Sequence, residues 1–215
     1  MSANETPGSL GTMPIDRFLE MLSSSSPTPG GGGIAALAGA MAAGLISMVS
    51  NLTIGKPKYA AVQEEVQGIL KRSEELRVRL HELVDADAQA FGKIMDGYLL
   101  PKGTDEEKQA RAAHIEEATL EASCVPLEIA RFCAEVIELA RPAARTTNVQ
   151  AIGDVAMAAF LAEGALRGAV INVDINLRGV KDRAAAADLN RQAQALLPGL
   201  HEKVETAVQE GTARL

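Results

Sequence analysis

Asp87 is the residue in this 215-residue sequence whose position most clearly favours chemistry. It lies in a long segment, residues 58–99, which has no internal proline and whose apolar residues recur at steps of three and four, so that they share one face of a helix. That face consists of Val62, Val66, Ile69, Ser73, Leu76, Leu80, Leu83, Phe91, Ile94 and Tyr98. Asp87 is four residues from both Leu83 and Phe91, so its carboxylate points where the core should be.

A carboxylate in this position needs a hydrogen-bonding partner, a raised pKa or a cavity, because an unpaired buried charge is costly. A carboxyl with a raised pKa can accept a proton and return it near neutral pH, which is general acid and base catalysis. The alternative is a purely structural role, in which a neighbouring helix supplies a hydrogen-bonding partner for an aspartate in the core. Asp85, two residues earlier, is rotated by about 200° around the helix and is expected to face water.

A second polar face occurs later in the chain, in a segment that is otherwise rich in small residues. Its members are Asp154, Ala158, Leu161, Ala165, Gly168, Asn172 and Asn176, again at steps of four and three. Small residues allow helices to approach closely or leave room for a ligand. The two asparagines could hydrogen-bond a polar heterocycle, or they could equally tie one helix to another.

The run Gly30–Gly33 leads directly into an apolar, small-residue segment, which favours a folded turn over a flexible linker. It lacks the Lys-Ser/Thr of a phosphate-binding loop and follows no strand, so no nucleotide motif is met. Its free backbone N–H groups at a helix start would suit an anion or a close backbone approach. Lys56 and Lys58 could bind a carboxylate, although lysines near a helix end are often simply solvated.

The elements that must position these residues are helices, which predicts a single all-α bundle of about five to six long helices in one domain, residues 1–215. The predicted helices cover residues 14–22, 31–53, 58–99, 104–145 with a kink at Pro126, 148–177, and 182 to about 211. Thr12 is expected to cap the first, and Thr104 with Glu107 to form a capping box on the fourth. The segment 31–54 could mimic a membrane span, but its weak hydrophobicity favours a buried helix.

Composition excludes several classes of function. The net charge of −7 and an aromatic content of 3% without tryptophan argue against a nucleic-acid partner. The two cysteines match no zinc or redox spacing, the three histidines are scattered, and no metal site is expected. Two cysteines make no disulfide framework, which favours a reduced, cytoplasmic compartment, and no signal peptide or membrane partner is expected.

Four segments together resemble the formiminotetrahydrofolate cyclodeaminase family, which also includes stand-alone methenyltetrahydrofolate cyclohydrolases. They are PTPGGGGIAALAGAMAAGLISMVSNLTIGKPKY, LVDADAQAF, LPKGTDEEK and NVDINL, in the family's order, and the resemblance as a whole covers residues 14–197. The resemblance implies an all-helical, homodimeric enzyme that acts on a one-carbon tetrahydrofolate and needs no cofactor or metal. It also implies an isologous dimer with folate sites near the interface.

The resemblance places the family's catalytic aspartate at Asp87 and implies substrate-binding roles for a larger set. That set is Gly30, Gly31, Gly32, Lys56, Lys58, Asp154, Asn172 and Asn176. Gly33 stands where the family usually has a serine, which removes any role of a hydroxyl there. The expected activity is closure of 5-formiminotetrahydrofolate to 5,10-methenyltetrahydrofolate with release of ammonia. The alternatives are methenyltetrahydrofolate cyclohydrolase activity at the same site and a non-catalytic helical interaction protein.

Overall fold

The structure is a computed structural model that describes residues 9–215. These residues form seven α-helices and three short 3-10 helices, with no β-strand in this part of the chain, so the predicted all-α fold is confirmed. The α-helices are α1 (Ile15–Leu22), α2 (Gly31–Asn51), α3 (Gln63–Leu99), α4 (Asp105–Thr146), α5 (Ile152–Leu177), α6 (Arg183–Gln194) and α7 (Leu200–Thr212). The 3-10 helices are Leu10–Thr12, Pro57–Val62 and Val149–Ala151.

Helices α2 to α5 form a four-helix bundle in which neighbours along the chain run antiparallel. Gly33 at the start of α2 contacts Asp87 late in α3, whereas Ser47 late in α2 pairs with Ser73 early in α3. Helix α4 packs against α3 and α5, and α7 packs against α4 and α5. The small residues of α2 permit this close packing: a Cβ on Gly39 would lie 2.7 Å from the sulfur of Cys133 on α4.

Helices α2 and α5 are the most apolar elements of the bundle. The segments Gly31–Asn51 and Val149–Leu177 are long and apolar enough to cross a membrane, but 61% and 44% of their most apolar windows are buried inside the protein. Core helices of bundles have this composition. Helix α2 is therefore mostly buried, as the sequence predicts, while apolar side chains on one face of both α2 and α5 remain exposed.

Several predicted boundaries are wrong for local reasons. The predicted last helix is two helices, because Pro198 cannot donate a backbone hydrogen bond and Gly199 adopts a left-handed φ of 70°. Thr12 does not cap α1; it belongs to a 3-10 turn, and its hydroxyl donates to the Ser9 carbonyl. Helix α3 begins at Gln63, after a 3-10 helix, instead of at residue 58. Helix α4 runs through Pro126, in agreement with the single helix predicted over this segment. The capping box of Thr104 and Glu107 is confirmed.

The ends of α3 and α4 extend beyond the start of α2. The apolar face of α3 is buried as far as Leu83, but Phe91 and Ile94 are only partly buried and Tyr98 is exposed. Asp87 stands at this change, where α2 begins and no longer covers α3. A recess therefore opens beside Asp87, between the protruding ends of α3 and α4 and the end of α5.

Candidate active site

Asp87 faces the first turn of α2. Its Oδ2 accepts a hydrogen bond of 2.8 Å from the backbone N–H of Gly33, and no cation of residues 9–215 pairs with it. Burial raises the pKa of the Asp87 carboxyl above its ordinary value, and the Gly33 hydrogen bond opposes part of that rise. The carboxyl is thus able to change protonation state closer to neutrality than an exposed aspartate can.

Gly31, Gly32 and Gly33 form the first turn of α2, and Gly30 is its extended N-cap. A glycine is required at Gly32 because no side chain fits there. A Cβ built on Gly32 would lie 2.0 Å from Oδ1 and 2.6 Å from Cγ of Asp87, distances that no real Cβ contact reaches. A Cβ on Gly33 would meet Asp87 Oδ2 at 3.7 Å, and one on Gly31 would meet Asn172 Nδ2 at 3.4 Å, both ordinary contacts. None of these glycines has a positive φ. Gly32 therefore allows the backbone of α2 and the carboxylate to approach each other.

Asn172 and Asn176 approach the same recess from the last turns of α5. Asn172 Nδ2 donates to the Gly168 carbonyl at 2.8 Å, and Asn176 Nδ2 donates to the Ala122 carbonyl of α4 at 3.3 Å. Pro126 explains the second bond, because a proline lacks the N–H that would otherwise reach the carbonyl four residues earlier. Both side-chain oxygens have no partner among residues 9–215 and remain available as acceptors.

These groups surround one cavity of about 240 Å³ that opens to solvent. Its lining combines the carboxylate, the start of α2 and both asparagines with apolar carbons of α3. The lining residues are Pro27, Thr28, Gly30, Gly31, Gly32, Asp87, Ala90, Phe91, Ile94, Ala122, Asn172 and Asn176. Ligand cavities usually measure about 300–1,000 Å³, so this one would enclose only part of a large ligand.

Lys56, Lys58 and Asp154 do not line this cavity. Both lysines follow α2 and are exposed, and Lys58 Nζ lies 5.6 Å from the centre of the Tyr59 ring. Helix α2 has 21 residues, so its two ends are about 30 Å apart. Asp154 lies at the start of α5, at the same distant end. Within one chain, the substrate-binding assignment of these three residues therefore has no geometric support.

Asp85 does not simply face water, contrary to expectation. Its carboxylate accepts hydrogen bonds from Ser9 Oγ at 2.5 Å and from the backbone N–H of Leu10 at 2.6 Å. It thereby attaches the segment before α1 to α3. Sequence periodicity predicts its distance from the Asp87 face but cannot reveal a partner 75 residues away.

No group of three His, Cys, Asp or Glu side chains in residues 9–215 is arranged to hold a metal ion. The cavity itself offers one carboxyl group that can transfer a proton, beside the N–H groups of a helix start and two amide oxygens. This set suits a reaction in which a proton leaves one atom and returns to a neighbouring one.

Comparisons with known proteins agree on one family. A family model described as formiminotransferase-cyclodeaminase matches residues 14–195. The chain is 45% identical over 211 residues to a methenyltetrahydrofolate cyclohydrolase of Methylorubrum extorquens, covering 97% of this chain and 98% of that protein. It is 34% identical over 184 residues to a formimidoyltransferase-cyclodeaminase of Sus scrofa, covering 86% of this chain and 34% of that protein. A solved formiminotetrahydrofolate cyclodeaminase of Thermotoga maritima superposes with a TM-score of 0.79 at 28% identity, covering 92% of this chain and 96% of that one.

Proposed function

Because the chain belongs to the formiminotransferase-cyclodeaminase family, we propose that it is an enzyme acting on the one-carbon unit that tetrahydrofolate carries between N5 and N10. Asp87 is the proposed general acid and base. The observation that carries this assignment is a carboxyl of raised pKa against the first turn of α2, in a cavity with two asparagine side chains. A scaffold protein would gain little from such a carboxyl.

We propose methenyltetrahydrofolate cyclohydrolase activity first, since the relative of that name matches nearly the full length of both chains at 45% identity. Water attacks the methenyl carbon, and Asp87 takes a proton from it as the C–O bond forms. Asp87 then protonates N5 as the N5–carbon bond breaks. The second proton of the attacking water goes to solvent and leaves 10-formyltetrahydrofolate. The steps are addition and proton transfer, so they require no redox cofactor.

Cyclodeaminase activity is the second candidate, and the structural relative from Thermotoga maritima favours it. In 5-formiminotetrahydrofolate, whose formimino group enters protonated as an amidinium, N10 would attack the formimino carbon and Asp87 would accept the N10 proton. The same proton, delivered to the exocyclic nitrogen, allows ammonia to leave and 5,10-methenyltetrahydrofolate to form. One carboxyl thus suffices for either reaction, because both pass through a tetrahedral carbon between the same two nitrogens.

A direct comparison of the two substrates separates these candidates. The purified protein is given 5,10-methenyltetrahydrofolate, with loss of the methenyl absorbance recorded, and separately 5-formiminotetrahydrofolate, with ammonia release recorded. Faster hydrolysis than deamination is expected. Ammonia release as the dominant activity would favour the second candidate. Neither activity, together with no thermal stabilisation by any reduced folate near millimolar concentration, would favour a non-catalytic helical protein.

We further propose that the exposed apolar face of α2 and α5 is covered by a second copy of the chain. On each helix its members recur at steps of three and four, and a shared groove joins the two helices. The face, called the α2/α5 face below, comprises Ile34, Ala38, Met41, Leu45, Met48, Leu52, Met157, Phe160, Gly164, Gly168, Ile171 and Ile175. It contains no charged residue, so a partner can bury it without desolvating a charge.

A two-fold axis through the middle of the α2/α5 face would give the distant residues a role. Gly31 and Asn172 lie at one end of this face and Lys56, Lys58 and Asp154 at the other, so an axis that lies in the interface and perpendicular to both helices places the second end of one copy beside the first end of its partner. This arrangement is the one in which those three residues contribute to a folate site, that of the partner subunit. It therefore supports the homodimer that the sequence predicts.

The dimer is tested by placing a charge in the face. Phe160 is 47% exposed and lines the groove, so a charge there would have to be buried in the dimer. Phe160→Asp is therefore expected to be a folded monomer by light scattering and to have low activity. The control, Met95→Asp, alters a methionine of similar exposure, 44%, on α3 and should remain dimeric. A wild-type protein that is monomeric at micromolar concentration would contradict the proposal.

A further inference from the structure

A second cavity, of about 410 Å³, adjoins the first and shares Ile94 and Asn176 with it. It lies between the end of α3, the start of α4 and the residues that follow α5. Asp87 and Tyr98 are eleven residues apart on α3, so the two cavities together form a recess about 16 Å long. The first cavity is too small for a whole folate, and the second is the space available along the same wall.

Arg111 of α4 lines this second cavity and has no carboxylate partner among residues 9–215. One of its terminal nitrogens, Nη2, donates to the Tyr98 carbonyl at 3.2 Å, and its guanidinium carbon lies 5.2 Å from the centre of the Tyr98 ring. Its Nε is shielded from solvent and has no hydrogen-bond partner. A buried donor without an acceptor costs stability, which favours a ligand that supplies one.

The charges around Arg111 favour an anion. Lys181 is exposed at the rim of the cavity and forms no ion pair within the described part of the chain. Glu116 is the one carboxylate in the lining, and its Oε1 already accepts from the backbone N–H groups of Lys181 and Asp182 at 2.8 Å. The cavity thus has two cations against one carboxylate that is committed to the backbone.

We propose that the second cavity binds the glutamate of the folate substrate, with a glutamate carboxylate on Arg111 and Lys181 at the exit to solvent. This inference rests on the proposed function. The p-aminobenzoyl-glutamate arm spans about 10 Å, roughly three extended residues. With the one-carbon unit at Asp87, the benzoyl ring lies against Phe91 and Ile94, and the glutamate reaches Arg111. A planar guanidinium binds carboxylates through paired donors, which suits this position.

The experiment compares 5,10-methenyltetrahydrofolate with its diamide analogue, in which both glutamate carboxylates are replaced by neutral amides. The enzymes are wild type, Arg111→Gln and Lys108→Gln. The last is the control, because it removes a positive charge from the same helix at a lysine that pairs with Asp105 on the surface. Arg111→Gln should raise KM for the natural substrate by about 10-fold or more, with kcat changed less than about two-fold and KM for the diamide unchanged. Lys108→Gln should behave as wild type with both substrates.

Two outcomes with an active enzyme would overturn the inference. Equal effects of Arg111→Gln on the two substrates would mean that Arg111 only holds the end of α3 through the Tyr98 carbonyl. If Lys56→Gln or Lys58→Gln removes the preference for glutamate and Arg111→Gln does not, the tail binds at the lysines of the partner subunit.

Calorimetry with p-aminobenzoyl-glutamate keeps this test separate from that of the proposed function. The site is supported if wild type binds the probe while Arg111→Gln does not, and if wild type does not bind the diamide of the probe. This result would support the site even in a protein without turnover. Equal binding by both proteins, or binding by neither, would contradict it.

Discussion

Replacing Gly32 by alanine is expected to displace the Asp87 carboxylate without unfolding the protein. The new Cβ would lie 2.0 Å from Asp87 Oδ1, and ordinary contacts begin at 3.4 Å, so the oxygen must move by about 1.4 Å. Because a carboxylate is the end of a rotatable side chain, it can swing into the cavity and lose the Gly33 hydrogen bond. A misplacement of about 1 Å costs on the order of 100-fold in rate, while overpacking lowers the free energy of unfolding by about 1–3 kcal/mol.

The matched control is Gly33→Ala, whose Cβ would lie 3.6 Å from the Val84 carbonyl and 3.7 Å from Asp87 Oδ2. We would measure kcat, its pH profile and Tm for both variants with 5,10-methenyltetrahydrofolate. Gly32→Ala should lose about 100-fold in kcat, and its acid limb should shift, because the displacement changes both the burial that raises the pKa of Asp87 and the Gly33 hydrogen bond that lowers it. Gly33→Ala should stay within a few-fold of wild type. Equal losses in the two variants, or full activity of Gly32→Ala, would refute this account of Gly32.

Three further changes test other parts of the structure. The pKa of Asp87 is raised in the folded protein, so wild-type stability should fall as pH rises from about 3.8 through that pKa. Thermal melts of Asp87→Asn should lack this fall. The same pH dependence of Tm in wild type and variant would contradict the raised pKa. Asp85→Ala should speed amide hydrogen exchange at Leu10 and lower the free energy of unfolding by about 1 kcal/mol, with little loss of kcat. Unchanged exchange at Leu10 would contradict the attachment of this segment to α3 through Asp85. Pro126→Ala restores an N–H that competes with Asn176 for the Ala122 carbonyl. KM should therefore rise several-fold without a lower Tm. An unchanged KM would show that the hydrogen bond from Asn176 to Ala122 is unimportant for substrate binding.

The position of Asp87 is accessible from the sequence because helical periodicity is a local property. Steps of three and four isolate a carboxylate on an apolar face, and that face is where the structure has its cavity. The same reasoning identifies Asn172 and Asn176, since both lie on one face of the fifth predicted helix. Periodicity specifies a face, however, and says nothing about which other helix lies opposite it.

The residues that sequence reasoning misplaced or missed depend on pairing between helices. Asp154 shares a face with Asn172 but lies 18 residues earlier, about 27 Å along α5. The partner of Asp85 is a long-range feature, whereas the availability of the Ala122 carbonyl follows locally from Pro126, which has no N–H to donate to it. The break at Pro198 and Gly199 was also readable, because a Pro-Gly pair inside a helical pattern is a strong stop signal.

The central claim is that Asp87 transfers the proton at the reacting nitrogen of a one-carbon folate. The most direct test is the steady-state rate of Asp87→Asn with 5,10-methenyltetrahydrofolate, beside Asp85→Asn as the neighbouring control and folate affinity from calorimetry. Asn keeps the size of the side chain but cannot exchange a proton, so kcat should fall by about 10²- to 10⁴-fold while affinity changes only a few-fold. An Asp87→Asn enzyme that keeps most of its rate, or a loss no larger than that of Asp85→Asn, would contradict the claim.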